Sequence, residues 1–199
     1  MSAFSAHSFR RGLSVLALVS ICAAFPSGVH AQRTSARSYF ADASVGMTIA
    51  AVPSGAGKIG FGQYLIRGYW KAYAQVSDYK HLISETSGKV YDHAAWHVGG
   101  EGMYRLFGSY NRSVNLYVGG GVFLGCNQYS AFMPHPEGFS TTLPAAEFIC
   151  GVTPGIELEV YLTRRLAVIA DARLPFTLCS SYPGDWYNYG FSAGLRYNF

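Results

Sequence analysis

Tyr187-Asn188-Tyr189-Gly190-Phe191-Ser192-Ala193-Gly194-Leu195-Arg196-Tyr197-Asn198-Phe199 is the stretch that decides the fold class. In an extended chain Tyr189, Phe191, Ala193, Leu195, Tyr197 and Phe199 share one face. Asn188, Gly190, Ser192, Gly194, Arg196 and Asn198 share the other. An aromatic-rich face alternating with a small and polar one is the lipid-out, lumen-in pattern of a transmembrane β-barrel. An ordinary sandwich strand also alternates. The terminal aromatic in an exported chain favours the barrel, and Tyr189, Phe191, Leu195, Tyr197 and Phe199 resemble the C-terminal signal read by the barrel-assembly machinery.

Composition agrees with a lipid-covered surface. Charged residues are 13% of the chain, aromatics 16%, and there are 23 glycines. A soluble domain so poor in charge could not easily cover its surface. Residues 1–31 read as a signal peptide: Arg10 and Arg11, the apolar run Leu13–Phe25, then Val29-His30-Ala31 before Gln32. That run is too short to span a bilayer as a helix, and bulky Ile21 disfavours a lipoprotein reading of Cys22. Cleavage would leave 168 residues, 32–199, as one outer-membrane barrel domain, its net charge lowered from +4 to +2 by the two lost arginines. So mild a charge argues against direct nucleic-acid binding. No later segment is apolar enough for a membrane helix, so a closed barrel is the way left to pair every backbone group in lipid.

The same alternation runs through Ala41–Ile49, Trp70–Val76, Ala94–Phe107, Ser113–Gln128, Glu147–Leu162 and Arg165–Leu174. Lys58–Ile66 is a weaker eighth strand that makes the count even. Short turns are expected near Arg67–Gly68, Gly108–Arg112 and Thr163–Arg164. Longer links are expected at Ala51–Gly57, Leu82–Val90, Tyr129–Ala146 and Cys179–Trp186. The expected fold is therefore all-β, an antiparallel barrel of about eight strands with short periplasmic turns and long outer loops.

A barrel this size is just wide enough to be filled by side chains. Lys71, Glu101, Arg105, Glu157, Glu159, Asp171, Arg173 and Arg196 should face inward, forming either a salt-bridge plug or the wall of a narrow polar channel. Glu157 and Glu159 are spaced like a carboxylate dyad, but no nucleophile–base arrangement lies beside them. His93, His97 and Glu101 gather only on a helix; on a strand they spread apart. No catalytic residue, cofactor or metal is expected. Cys126 and Cys150 could form a cross-strand disulfide. The Met133-Pro134-His135-Pro136 loop lacks ligand spacing and reads as a rigid exposed tip.

Five blocks carry a family resemblance: Gly62-Gln63-Tyr64-Leu65-Ile66-Arg67-Gly68-Tyr69-Trp70, Gly102-Met103-Tyr104-Arg105-Leu106, Ser113–Gly121, Glu157–Leu166 and Gly194–Phe199. In order and spacing they resemble the conjugative transposon protein TraO family over roughly residues 40–199. The resemblance implies an outer-membrane component of the conjugative machinery of Bacteroides-type bacteria, structural rather than enzymatic, with other transfer proteins as partners. The alternatives are a general small barrel for adhesion, membrane integrity or a narrow pore, and a lipid-modifying enzyme, which would need a polar triad at the rim.

Overall fold

A computed structural model describes residues 37–49, 53–82, 90–108, 113–129, 146–179 and 189–199. The signal segment, the Met133–Pro136 loop and Asn188 lie outside them. Every regular element described is a β-strand: β1 (Tyr39–Ile49), β2 (Pro53–Leu65), β3 (Gly68–Leu82), β4 (Val90–Gly108), β5 (Val114–Tyr129), β6 (Ala146–Val152), β7 (Gly155–Tyr161), β8 (Leu166–Arg173), β9 (Phe176–Cys179) and β10 (Tyr189–Asn198).

These ten strands make eight staves. β6 and β7 both pair with β5 in one unbroken register, because only Thr153 and Pro154 separate them. Pro154 has no N–H to give the ladder, which interrupts the pairing without shifting it. Pro175 likewise divides β8 from β9. The ring β1-β2-β3-β4-β5-(β6/β7)-(β8/β9)-β10 closes where β10 pairs with β1, Phe40 opposite Asn198. All pairings are antiparallel.

The stagger follows from the register. From Ser38, which accepts the Tyr64 N–H, the partners run Tyr64, Tyr69, Met103, Gly119, Gly155, Arg173, Gly190 and back to β1 at Thr48. That is ten residues beyond the start, a shear of ten for eight staves, consistent with strands tilted by about 40°. At that tilt the 11 residues of β1 span roughly 25 Å of bilayer.

The chain is polar inside and apolar outside. Val45 is 75% exposed and Phe148 64%, while Arg196, Glu157 and Glu159 are fully buried. Water would penalise the first group and hydrocarbon the second, so the outer surface is built for lipid. Trp70, Tyr104, Tyr197 and Phe199 lie outside near one end, and Trp96 and Tyr189 outside near the other, as interfacial girdles do. The two-residue Ile66–Arg67 hairpin, Gly108 with Ser113, and the Leu162–Arg165 link lie at one end with Tyr39 and Phe199; we call it the turn end. Ile49 and Pro53, Leu82 and Val90, Tyr129 and Ala146, and Cys179 and Tyr189 share the opposite end, which we call the loop end.

Three expectations are corrected. Residues 51–57 are not a long link, because β2 already begins at Pro53. Gly55 and Gly57 occupy the outward positions there, which removes the apolar alternation that would have marked a strand. β3 is also longer than Trp70–Val76, running from Gly68 to Leu82. A disulfide does join two strands at the loop end, but it links Cys150 to Cys179, with Cα atoms 5.2 Å apart, and leaves Cys126 free. β9 carries Cys179 opposite Cys150, whereas Cys126 pairs with Phe148.

Candidate functional site

The lumen is the only place among the described residues where many charges converge. Alternation brings Asp42, Lys58, Lys71, Glu101, Glu157, Glu159, Asp171, Arg173 and Arg196 inward, and the stagger sets them at neighbouring heights. Arg196 is the hub, reaching Asp42 at 2.8 Å, Glu157 at 2.8 Å and Glu159 at 3.0 Å. Lys71 reaches Glu101 at 2.9 Å, Asp42 at 3.1 Å and Glu157 at 3.7 Å. Arg173 lies 3.2 Å from Glu101 and 3.5 Å from Glu157, and Lys58 lies 3.5 Å from Glu101. Asp171 joins at the edge, 3.7 Å from Arg173 Nε, and accepts the Ser192 hydroxyl at 2.6 Å.

These nine side chains form one connected layer across the barrel. Charges taken from water are tolerated only when closely paired, and removing one member strands the others. Gly60 makes room for the layer: a Cβ there would stand 2.5 Å from Asp42 Oδ1 and 2.7 Å from Lys71 Cδ.

Towards the turn end the lumen is closed by rings. Phe40, Tyr64, Tyr69, Met103 and Tyr117 form one buried cluster. The Arg196 guanidinium lies 4.2 Å from the Phe40 ring centre and 4.7 Å from that of Tyr69, a cation–π arrangement on the underside of the ion-pair layer. Glu159 is held from below: the Tyr64 hydroxyl donates to it, the Tyr117 hydroxyl donates at 2.9 Å, and Asn115 Nδ2 donates at 3.3 Å. Tyr161 in turn donates to the Tyr64 hydroxyl at 3.0 Å.

Towards the loop end the lumen is lined by smaller groups. Ser44, Thr48, Ala56, Lys58, Tyr73, His97, Thr153, Gly190 and Ser192 surround a cavity that leaves about 40 Å³ for water centres. Its floor is the ion-pair layer.

Of the eight inward charges expected from sequence, the structure gathers Lys71, Glu101, Glu157, Glu159, Asp171, Arg173 and Arg196. Arg105 faces inward but is only half-buried near the turn end, and it makes no ion pair to the described residues. Asp42 and Lys58 belong to the layer and were not among the eight. The inward parity of β1 pointed to Asp42, whereas glycine-rich β2 carried no comparable signal for Lys58.

Glu157 and Glu159 sit among cations rather than beside a nucleophile. His97 stacks on Phe123, centroids 4.9 Å apart, and lies four residues, about 13 Å, along the strand from Glu101. Among the described residues no three His, Cys, Asp or Glu side chains gather as a metal site. Tyr189, Phe191, Leu195, Tyr197 and Phe199 all lie on the outer surface of the closing strand.

No family model matches the chain, and no curated protein matches its sequence. Solved structures do. The chain is similar to Neisserial surface protein A, with 17% identity over 83% of this chain and 98% of that one and a TM-score of 0.54. It is similar to a major outer membrane protein from Thermus thermophilus, with 10% identity over 83% and 100% of the two chains and a TM-score of 0.56. Ail of Yersinia pestis, in complex with a heparin analogue, aligns at 12% identity over 81% and 97% with a TM-score of 0.47. The fold is that of the small outer-membrane β-barrels.

Proposed function

We propose that this chain works in the bacterial outer membrane as a structural, non-conducting barrel that acts through its rims and outer surface rather than through a pore. The observation that carries the reading is the lumen itself, crossed by a nine-residue ion-pair layer and backed by a buried aromatic cluster. Any permeating ion would have to break several buried pairs at once. Reconstituted in planar bilayers, the protein should give no steps above background; steady porin-like conductance would refute the reading.

The turn end is the better docking surface. Arg37, Arg67, Arg164 and Arg165 are all exposed there, and no Asp or Glu side chain among the described residues is exposed beside them. Such a rim suits an acidic partner surface.

A second, finer reading is conjugation, with the barrel anchoring other transfer proteins. One spatial observation favours it. The five blocks that resemble the TraO family are scattered along the sequence, yet all fall in the turn-end half: the β2–β3 hairpin, the end of β4, the start of β5, the β7–β8 hairpin and the end of β10. A shared role would then sit on the sealed half and its arginine rim. Neighbouring transfer genes would support this reading. Deleting the gene should abolish transfer while leaving donor growth normal, and unaffected transfer would sink it. Reversing Arg67, Arg164 and Arg165 to Glu should lower transfer while the barrel still assembles.

A further inference from the structure

We propose that the loop-end half of the lumen is a binding site for one small oxyanion, of the phosphate or carboxylate class, held by Lys58, His97, Thr48 and Thr153. Each of these four is more than nine-tenths buried and each lines the same cavity, from four different staves. His97 Nε2 and Thr48 Oγ1 have no hydrogen-bond partner, and the Thr153 hydroxyl has only the Tyr73 phenol, on the same cavity wall. Buried polar atoms are rarely left so, and two on one cavity beside a buried lysine point to an occupant.

The donor that cannot also accept is Lys58; the hydroxyls can turn to donate. Lys58 has Glu101 at 3.5 Å and the Tyr73 ring centre at 4.5 Å, which leaves ammonium protons free. The carboxylates of the floor are already engaged: Glu101 by Lys58, Lys71 and Arg173, and Asp171 by Ser192 and Arg173. A cation would therefore find no carboxylate with spare capacity, whereas an oxyanion finds an ammonium, hydroxyls able to donate, and His97 in the tautomer that carries its proton on Nε2. Size narrows the class further. A cavity of about 40 Å³ has the room of a small ion such as phosphate or acetate.

The test is calorimetric titration of the full protein, refolded in detergent, with inorganic phosphate and separately with acetate, while NMR follows the His97 ring. Saturable binding is expected with at least one of the two, together with movement of the His97 resonances. Lys58→Met should weaken it about 10-fold or more, the loss of one charge-assisted bond. Thr48→Val, which keeps the side chain's shape and serves if Lys58→Met does not fold, should weaken it about 3-fold or more. Failure of both ions to bind up to roughly 50 mM, far above the weakest specific affinities, would mean the cavity holds water only and would overturn the proposal. Binding that leaves His97 unmoved, or is undiminished in a folded variant, would overturn it as well.

Discussion

The two halves of the lumen solve the same problem in opposite ways. Both are walled by the same staves, and both must fill or hydrate a bore about one side chain wide. The turn-end half uses large rings on the inward positions, Phe40, Tyr64, Tyr69 and Tyr117, with hydroxyls spent on Glu159. The loop-end half places Ser44, Ala56, Gly190 and Ser192 there and leaves the Thr48 hydroxyl and a His97 nitrogen without protein partners. One half is packed with rings and the other is open, although buried polar atoms without a partner occur in both, at Tyr69 and Asn198 in the first and at Thr48 and His97 in the second. Stability should therefore be concentrated below the ion-pair layer and ligand chemistry above it.

Substitutions can break or sharpen that division. The largest effect should come from Arg196→Met, which strips the shared cation from Asp42, Glu157 and Glu159. Breaking a buried pair in this way costs about 3–5 kcal/mol. Urea unfolding of the refolded barrel in detergent measures it, and a loss under about 1 kcal/mol would remove the ion-pair layer from the account. Tyr64→Phe deletes a buried donor to Glu159 and should cost about 1.5–3 kcal/mol in the same assay.

Gly60→Val drives atoms into the space used by Asp42 and Lys71 and should cost about 1–3 kcal/mol; tolerance without loss would mean the layer can rearrange freely. The smallest effect should be that of Ser192→Ala in the open half, at most about 1 kcal/mol, since its hydroxyl is only part-buried. If Ser192→Ala matched Tyr64→Phe, the contrast between the halves would be gone.

Side-chain parity was legible along most of the chain because lipid and lumen demand opposite chemistry at successive residues. The closing strand, β4, β5 and the β7 carboxylates could all be assigned to a face from that rule alone. Register was not legible. Which cation meets which carboxylate depends on a stagger of ten residues that accumulates through seven hairpin connections. Arg105 shows the consequence, since its parity matches that of Glu101 but it lies four residues nearer the turn end, outside the layer. Lys58 was hidden because the residues that precede it on β2, Gly55, Ala56 and Gly57, record no preference for either face. The disulfide partner was missed because the expected strand stops at Leu174 and Cys179 opens the expected link, while the chain resumes as β9 and brings Cys179 beside Cys150.

The two prolines in adjoining staves have a mechanical consequence. Pro154 interrupts β6/β7 and Pro175 interrupts β8/β9 at nearly the same height, and the Leu174 N–H reaches across to the Pro154 carbonyl at 2.9 Å. Together they score a crease into the wall. Beyond it β9 is laddered only to β6 among the described residues, and the Cys150–Cys179 bond rivets that pair. A pull on the loop end would flex this small panel about its crease before the load reached Arg196.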